Sequence, residues 1–151
     1  MTEETQPQGE FNIIAQYTKD FSFENVTPAA TIAQAKEQPN IDVQLKVNAE
    51  KSADGKSYIV SLVTNIQTKL GATTLFVLDL TYAGEFVING FEQSMLDIIL
   101  YIECPRILFP FVRNIIATAV NEGGFPPLYL SPVNFAELYQ QQLEAKNQTK
   151  Q

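Results

Sequence analysis

The chain has 151 residues, no histidine, no tryptophan and one cysteine, and its ten Lys and Arg against seventeen Asp and Glu leave a formal charge of −7. That length suits one domain with its own core, and the 45% hydrophobic share excludes a disordered chain. The missing imidazole excludes Ser-His and Cys-His chemistry, the single Cys104 excludes an internal disulfide or a thiolate zinc site, and two arginines in an acidic chain argue against phosphate-backbone binding.

Residues 1–9 are polar and acidic, and are expected to form a flexible tail. They lack the basic region and apolar stretch of a signal peptide, which points to a cytoplasmic protein. Residues 10–24 alternate as a half-buried strand does. Phe11, Ile13, Ala15, Tyr17, Phe21 and Phe23 fall on one side, and Asp20 and Glu24 share the other, turned from the core. Lys19 takes the core-facing parity, as a snorkelling or sheet-edge charge.

Residues 25–40, with Pro28 and Pro39, read as a long loop, a kind of segment that is often functional. Ile41, Val43, Leu45 and Val47 alternate with polar residues in a second strand. Ser52 to Lys56 is a hairpin turn, and residues 57–69 are a third strand rich in β-branched residues. After Gly71 a fourth strand covers 73–88. Phe76, Leu78, Leu80, Tyr82, Phe86 and Ile88 make its apolar face, and Val77, Asp79 and Thr81 the opposite one.

The period then changes. Asn89 and Glu92 have the spacing of a capping box, and Phe91, Met95, Ile98, Ile99 and Ile102 recur at helical spacing. Pro105 must break or kink that helix, which continues to about residue 121. Charges and prolines within it argue against a membrane span. A Gly- and Pro-rich loop over 122–133 leads to a second capping pattern, Asn134 with Glu137. A short helix follows, with Phe135, Leu138, Tyr139 and Gln142 on one stripe and a flexible tail from 144. The sum is an α+β fold, an antiparallel sheet with helices on one face. The long helix is too apolar for one sheet to cover, so an oligomer is expected.

Chemistry is sparse. There is no Walker loop and no G-x-G-x-x-G, and no cofactor or metal is implied. Cys104 reads as a buried small hydrophobe, and Asp97 and Glu103 are spaced to lie on different faces of a helix. A small α+β ligand carrier, or a hot-dog-like enzyme wrapping a long helix, would need a polar cluster in its cleft. Only Asp97, Glu103 and Cys104 are candidates for one. A plain interaction module is the third possibility.

Three blocks carry a resemblance. Tyr17-Thr18-Lys19-Asp20-Phe21-Ser22-Phe23-Glu24 resembles the first strand of the SecB protein-export chaperones. Cys104-Pro105-Arg106-Ile107-Leu108-Phe109-Pro110-Phe111 resembles their helix signature. Gly124-Phe125-Pro126 with Leu128, Leu130 and Pro132-Val133-Asn134-Phe135 resembles their connecting loop. The likeness runs over residues 10–143 as one domain. It implies a four-stranded sheet in the order 1-4-3-2, with a long kinked helix and a shorter C-terminal helix on one face.

The resemblance further implies a holdase without ATP or catalysis, which binds unfolded preproteins and delivers them to the SecA translocase motor. It implies a homotetramer, a dimer of dimers with helices between the sheets. Leu78, Leu80, Tyr82, Met95 and Ile99 are then expected at the interface. The family's aromatic client subsite falls on Phe76, Phe111 and Tyr139, and an aliphatic one is expected at Ile41, Val43 and Leu45. Where the family carries a Trp before strand 2, this chain has Glu37. Asp20, Glu24, Val77 and Asp79 match the positions that meet the C-terminal zinc-binding tail of SecA.

Overall fold

The computed structural model describes residues 9–33 and 36–149. Of the expected tail at residues 1–9, residues 1–8 lie outside the described residues. Four antiparallel strands, β1 (Glu10–Asn25), β2 (Asn40–Lys51), β3 (Tyr58–Leu70) and β4 (Thr73–Asn89), pair in the order β1-β4-β3-β2. This is the order the family resemblance implies. The β2–β3 connection is the expected hairpin. Gly55 takes φ of 73°, which only glycine adopts without strain, and Ser52 donates its backbone N–H to the Ser57 carbonyl at 2.8 Å.

One face of the sheet is the core. Leu78, Leu80 and Phe86 of β4 and Val60, Leu62 and Ile66 of β3 are almost wholly buried beneath the helices. Their alternation with exposed Asn65, Gln67 and Asp79 leaves the other face open to solvent.

β1 departs from simple alternation. Its ladder with β4 carries an extra residue at Ile14 and another at Lys19. Each bulge inverts the parity of the residues after it. The stretch Ala15–Thr18 is therefore turned over relative to both ends of the strand. Ala15 and Tyr17 pair with Glu85 and Ala83 on the open face, rather than joining Phe11, Phe21 and Phe23 as expected. Gln16 instead faces the helices, where its Oε1 accepts the Tyr82 hydroxyl at 3.3 Å. Lys19 is not core-facing; it is an exposed bulge residue beside Asp20 on the rim of a concavity of the open face.

A third extra residue, Leu75 in β4, turns its carbonyl to the loop, where it accepts the N–H groups of Val26 and Thr27. That loop contains a short 3-10 turn at Ala29–Ile32.

The long helix is continuous but not uniform. α1 (Gln93–Ile98) passes through a π-turn at Ile99–Glu103 into α2 (Cys104–Glu122). Pro105 has no N–H to give, and the wider π-turn just before it takes up the irregularity, so the helix runs on through it. The expected capping box at Asn89 and Glu92 does not form. Asn89 donates to Glu10 at 3.2 Å instead, and Glu92 caps with its backbone carbonyl alone. The second cap does form: Asn134 Oδ1 accepts the Glu137 N–H at 3.1 Å. α3 (Phe135–Thr149) then runs past residue 143, into the segment expected as a tail.

Candidate functional site

Phe76 is 3% exposed, the middle ring of a three-ring row. Its centroid lies 5.4 Å from Phe23 and 4.9 Å from Phe125. The row borders an apolar cleft of about 190 Å³, where Ile41, Leu75 and the Pro126-Pro127-Leu128 segment complete the walls. Geometry thus joins one expected aromatic residue, Phe76, with one expected aliphatic residue, Ile41. Val43 and Leu45 follow on the same side of β2, half-buried against the core.

The other two expected aromatics lie elsewhere. Phe111 stands on the outside of α2, 48% exposed, stacked on Tyr82 at 6.1 Å. Tyr139 of α3 stacks on Tyr101 of the π-turn at 5.1 Å. This second pair lines a cleft of about 230 Å³ with Asp97, Gln142 and Leu143. Partial burial raises the Tyr139 hydroxyl above its ordinary pKa, with Asp97 and Tyr101 adding to the effect. Among the described residues, no ring contact joins Phe76, Phe111 and Tyr139 to one another. Within the protomer the three expected aromatics thus sit in separate ring groupings, one row of three and two pairs.

β2 connects two of them. Ile41 borders the Phe76 cleft, and Val47 lies under α3, where its backbone meets Gln142 beside Tyr139. Residues Ile41 to Val47 of a strand span about 20 Å. The two clefts thus open at either end of one stretch of edge strand.

The open face holds the second expected set. Asp20 pairs with Thr81, Ser22 with Asp79, and Glu24 with Val77, so all four expected residues share one face of the two neighbouring strands. Asn65 donates to the Asp79 carboxylate at 2.6 Å and fixes its direction. Val77 and Asp79 border a shallow hollow of about 280 Å³ with Asp42, Gln44 and Gln67. A surface of this kind attracts a basic partner, with contacts that weaken as salt rises.

The expected interface residues divide. Leu78, Leu80, Tyr82 and Ile99 are buried inside the protomer, which spends their surface on its own core. Met95 is 47% exposed, and Ile98 and, farther along the helix, Phe111 are exposed as well.

Among the described residues no catalytic cluster converges. Cys104 is wholly buried, and its thiol is pushed up to about 12 by burial and then by Glu103. Glu103 pairs with Arg106 at 3.3 Å, and Asp97 accepts from Gln93 at 3.2 Å. Among the described residues no group of three or more His, Cys, Asp or Glu could hold a metal, and no helix is long and apolar enough to cross a membrane.

Sequence reasoning misses Phe23, Phe125, Tyr101 and Gln142 as site residues. Phe125 carries a usable signal, an aromatic between two glycines and two prolines. Gln142 carries a fainter one, as the polar member of the stripe it shares with Phe135, Leu138 and Tyr139.

Comparison with known proteins supplies the context. The family model described as "Preprotein translocase subunit SecB" matches residues 3–146. The protein-export protein SecB of Rhodopseudomonas palustris (strain BisB5) is 48% identical over 139 residues, which cover 92% of this chain and 87% of that one. Its counterpart in Nitrobacter winogradskyi is 45% identical over 141 residues, 93% of this chain and 88% of the other. Among solved structures, a SecB-like chaperone of Mycobacterium tuberculosis in complex with a ChAD peptide from the HigA1 antitoxin superposes with a TM-score of 0.67. It is 15% identical and covers 82% of this chain and 90% of its own, a likeness of fold.

Proposed function

Because the chain belongs to the SecB family of protein-export chaperones, a family of chaperones rather than enzymes, we propose that it is a cytoplasmic, ATP-independent holdase. It binds unfolded preproteins and delivers them to SecA. The observation that carries this reading is the pair of apolar clefts at the two ends of one edge-strand stretch in a chain of this family. An extended polypeptide can place a large side chain at either end and lie along Ile41, Val43 and Leu45 between them. Aromatic walls give much contact area at little entropic cost, and so suit many client sequences. The peptide-bound state of the Mycobacterium tuberculosis neighbour is compatible with such a role.

Asp20, Glu24, Val77 and Asp79 serve as the docking face for the zinc-binding tail of SecA. The support is their common placement on the open sheet, away from the clefts, so that client and motor can be held together. Replacing Asp20 and Glu24 by Ala together is expected to weaken SecA binding and flatten its salt dependence. Unchanged affinity would refute this docking face.

The assembly is a homotetramer, a dimer of dimers. Three exposed apolar side chains of the long helix, Met95, Ile98 and Phe111, support burial against other copies. Light scattering is expected to give the mass of four chains, and a monomer at micromolar concentration would exclude the arrangement.

The deciding experiment is calorimetric titration with one slow-folding preprotein, unfolded and then native. Binding of the unfolded form alone, with a negative heat-capacity change, is expected. Equal binding of both forms, or of neither, would overturn the holdase reading.

A further inference from the structure

β2 is an edge of the sheet, and the alternate residues of such an edge turn their N–H and C=O groups outward, unpaired. Ser52 is bonded inward to Ser57 at the end of the hairpin, so the odd-numbered residues of β2 face out. Val47 is one of them. Its N–H donates to Gln142 Oε1 at 3.0 Å, and its carbonyl accepts from Gln142 Nε2 at 3.2 Å. One primary amide thus meets both backbone groups of one edge residue. That is the pair of bonds the backbone of an added antiparallel strand would make there.

We infer that Gln142 is a built-in placeholder for the backbone of an extended polypeptide, closing one register position of the β2 edge until a client segment displaces it. This rests on the reading of the chain as a binder of unfolded proteins. The occupant is fixed by the bonding pattern. Val47 presents the N–H and C=O that one residue of an antiparallel strand would exchange with it, a match to backbone whatever side chain that residue carries. Ile41, Val43, Leu45 and Ala49 repeat the same outward geometry without a second glutamine to cover them among the described residues. The stretch also ends at the apolar cleft beside Phe76, where a side chain of the added strand can be seated.

The placeholder sets a threshold. A client must replace both Gln142 bonds before it gains any at Val47, so a short or poorly extended segment gains little. α3 carries the placeholder, and the Tyr139–Tyr101 stack holds α3 in place at 5.1 Å. Displacing Gln142 therefore also loosens the aromatic cleft next to it.

The test combines hydrogen exchange with affinity, on the full chain and with one unfolded preprotein as probe. In the free protein, Gln142→Leu is expected to speed exchange at the Val47 amide and to leave Lys46 and Asn48 unchanged. Client binding is expected to protect the Val43, Leu45 and Val47 amides in both forms. Affinity for the client should tighten about threefold to tenfold in Gln142→Leu, the worth of roughly one net hydrogen bond. Gln142→Glu, of the same shape but without the donor, should fall between the two.

If the client binds while those amides exchange as fast as before, or if neither variant changes affinity, the placeholder is refuted and the holdase reading stands. If no unfolded preprotein binds even the unaltered chain, the holdase reading itself fails. Protection of these amides without client, rising with protein concentration, would identify a second copy as the occupant and overturn the proposal.

Discussion

The ring of Phe23 fills the space that a side chain at Gly123 would need: a Cβ built on Gly123 would stand 2.3 Å from two of its carbons. The Gly123 carbonyl also accepts Asn25 Nδ2 at 2.7 Å. The end of β1 and the end of α2 are thereby fastened together beneath Phe76. Gly123→Ala is expected to destabilise the protein by about 1–3 kcal/mol, as overpacking does. A urea midpoint equal to that of the unaltered chain would show that Phe23 can move aside freely.

Phe76 and Phe111 should separate cleanly on mutation. Phe76→Ala empties the middle of a buried aromatic row and is expected to cost about 3–5 kcal/mol of stability. Phe111→Ala removes a half-exposed ring and should cost far less. Loss of client binding in Phe76→Ala therefore has meaning only beside a melting curve. A fall in unfolding free energy of the same size in both would contradict this distinction.

Cys104 should be silent to alkylating reagents at pH 8 in the folded state and react on unfolding, since its buried thiol holds its proton up to about 12. The folded form binds that proton more tightly than the unfolded form, whose thiol titrates near 9.0. Stability from this group is therefore complete below 9.0 and falls as the pH rises toward 12. Cys104→Ala should flatten that alkaline decline, and an unchanged slope would assign the decline to other groups.

Asn134 caps α3 through the Glu137 N–H. Asn134→Ala is expected to cost about 0.5–2 kcal/mol, read first as faster amide exchange in the opening turn of α3. Because α3 carries Tyr139 and Gln142, the same variant should also speed exchange at Val47. Unaltered exchange at Val47 would mean that α3 is held by its packing alone.

Strand identity, the hairpin and the helix pattern are all legible in the chain, because burial on one face imposes periods of two and of 3.6. The course of β1 is legible only in part. Tyr17 continues the apolar alternation, yet it lies on the open face; the bulges mark the pattern only at the extra residues themselves, Ile14 and Lys19, and leave no sign on the stretch they turn over. The Asn89–Glu92 spacing imitates a cap, but the Asn89 amide is taken by Glu10, its opposite number on the neighbouring strand and 79 residues away in the chain. Of the site, Asp20, Glu24, Val77 and Asp79 keep their common face because the two bulges cancel before Asp20. The aromatic set disperses because its members come from three elements whose relative placement no local period encodes.

Those bulges also bear on chain length. Ile14 and Lys19 are the two residues of β1 left without an opposite number in β4. Deleting either one leaves every other pair in the ladder with the partner it has now, and the acids stay on their face. Deleting a paired residue such as Ser22 has no such slack. One side of the cut must slip by a position and turn its side chains over. Single-residue shortening of β1 should thus be survivable at two addresses and ruinous between them and the strand's ends, a tolerance set by where the strand already carries one residue more than its neighbour can use.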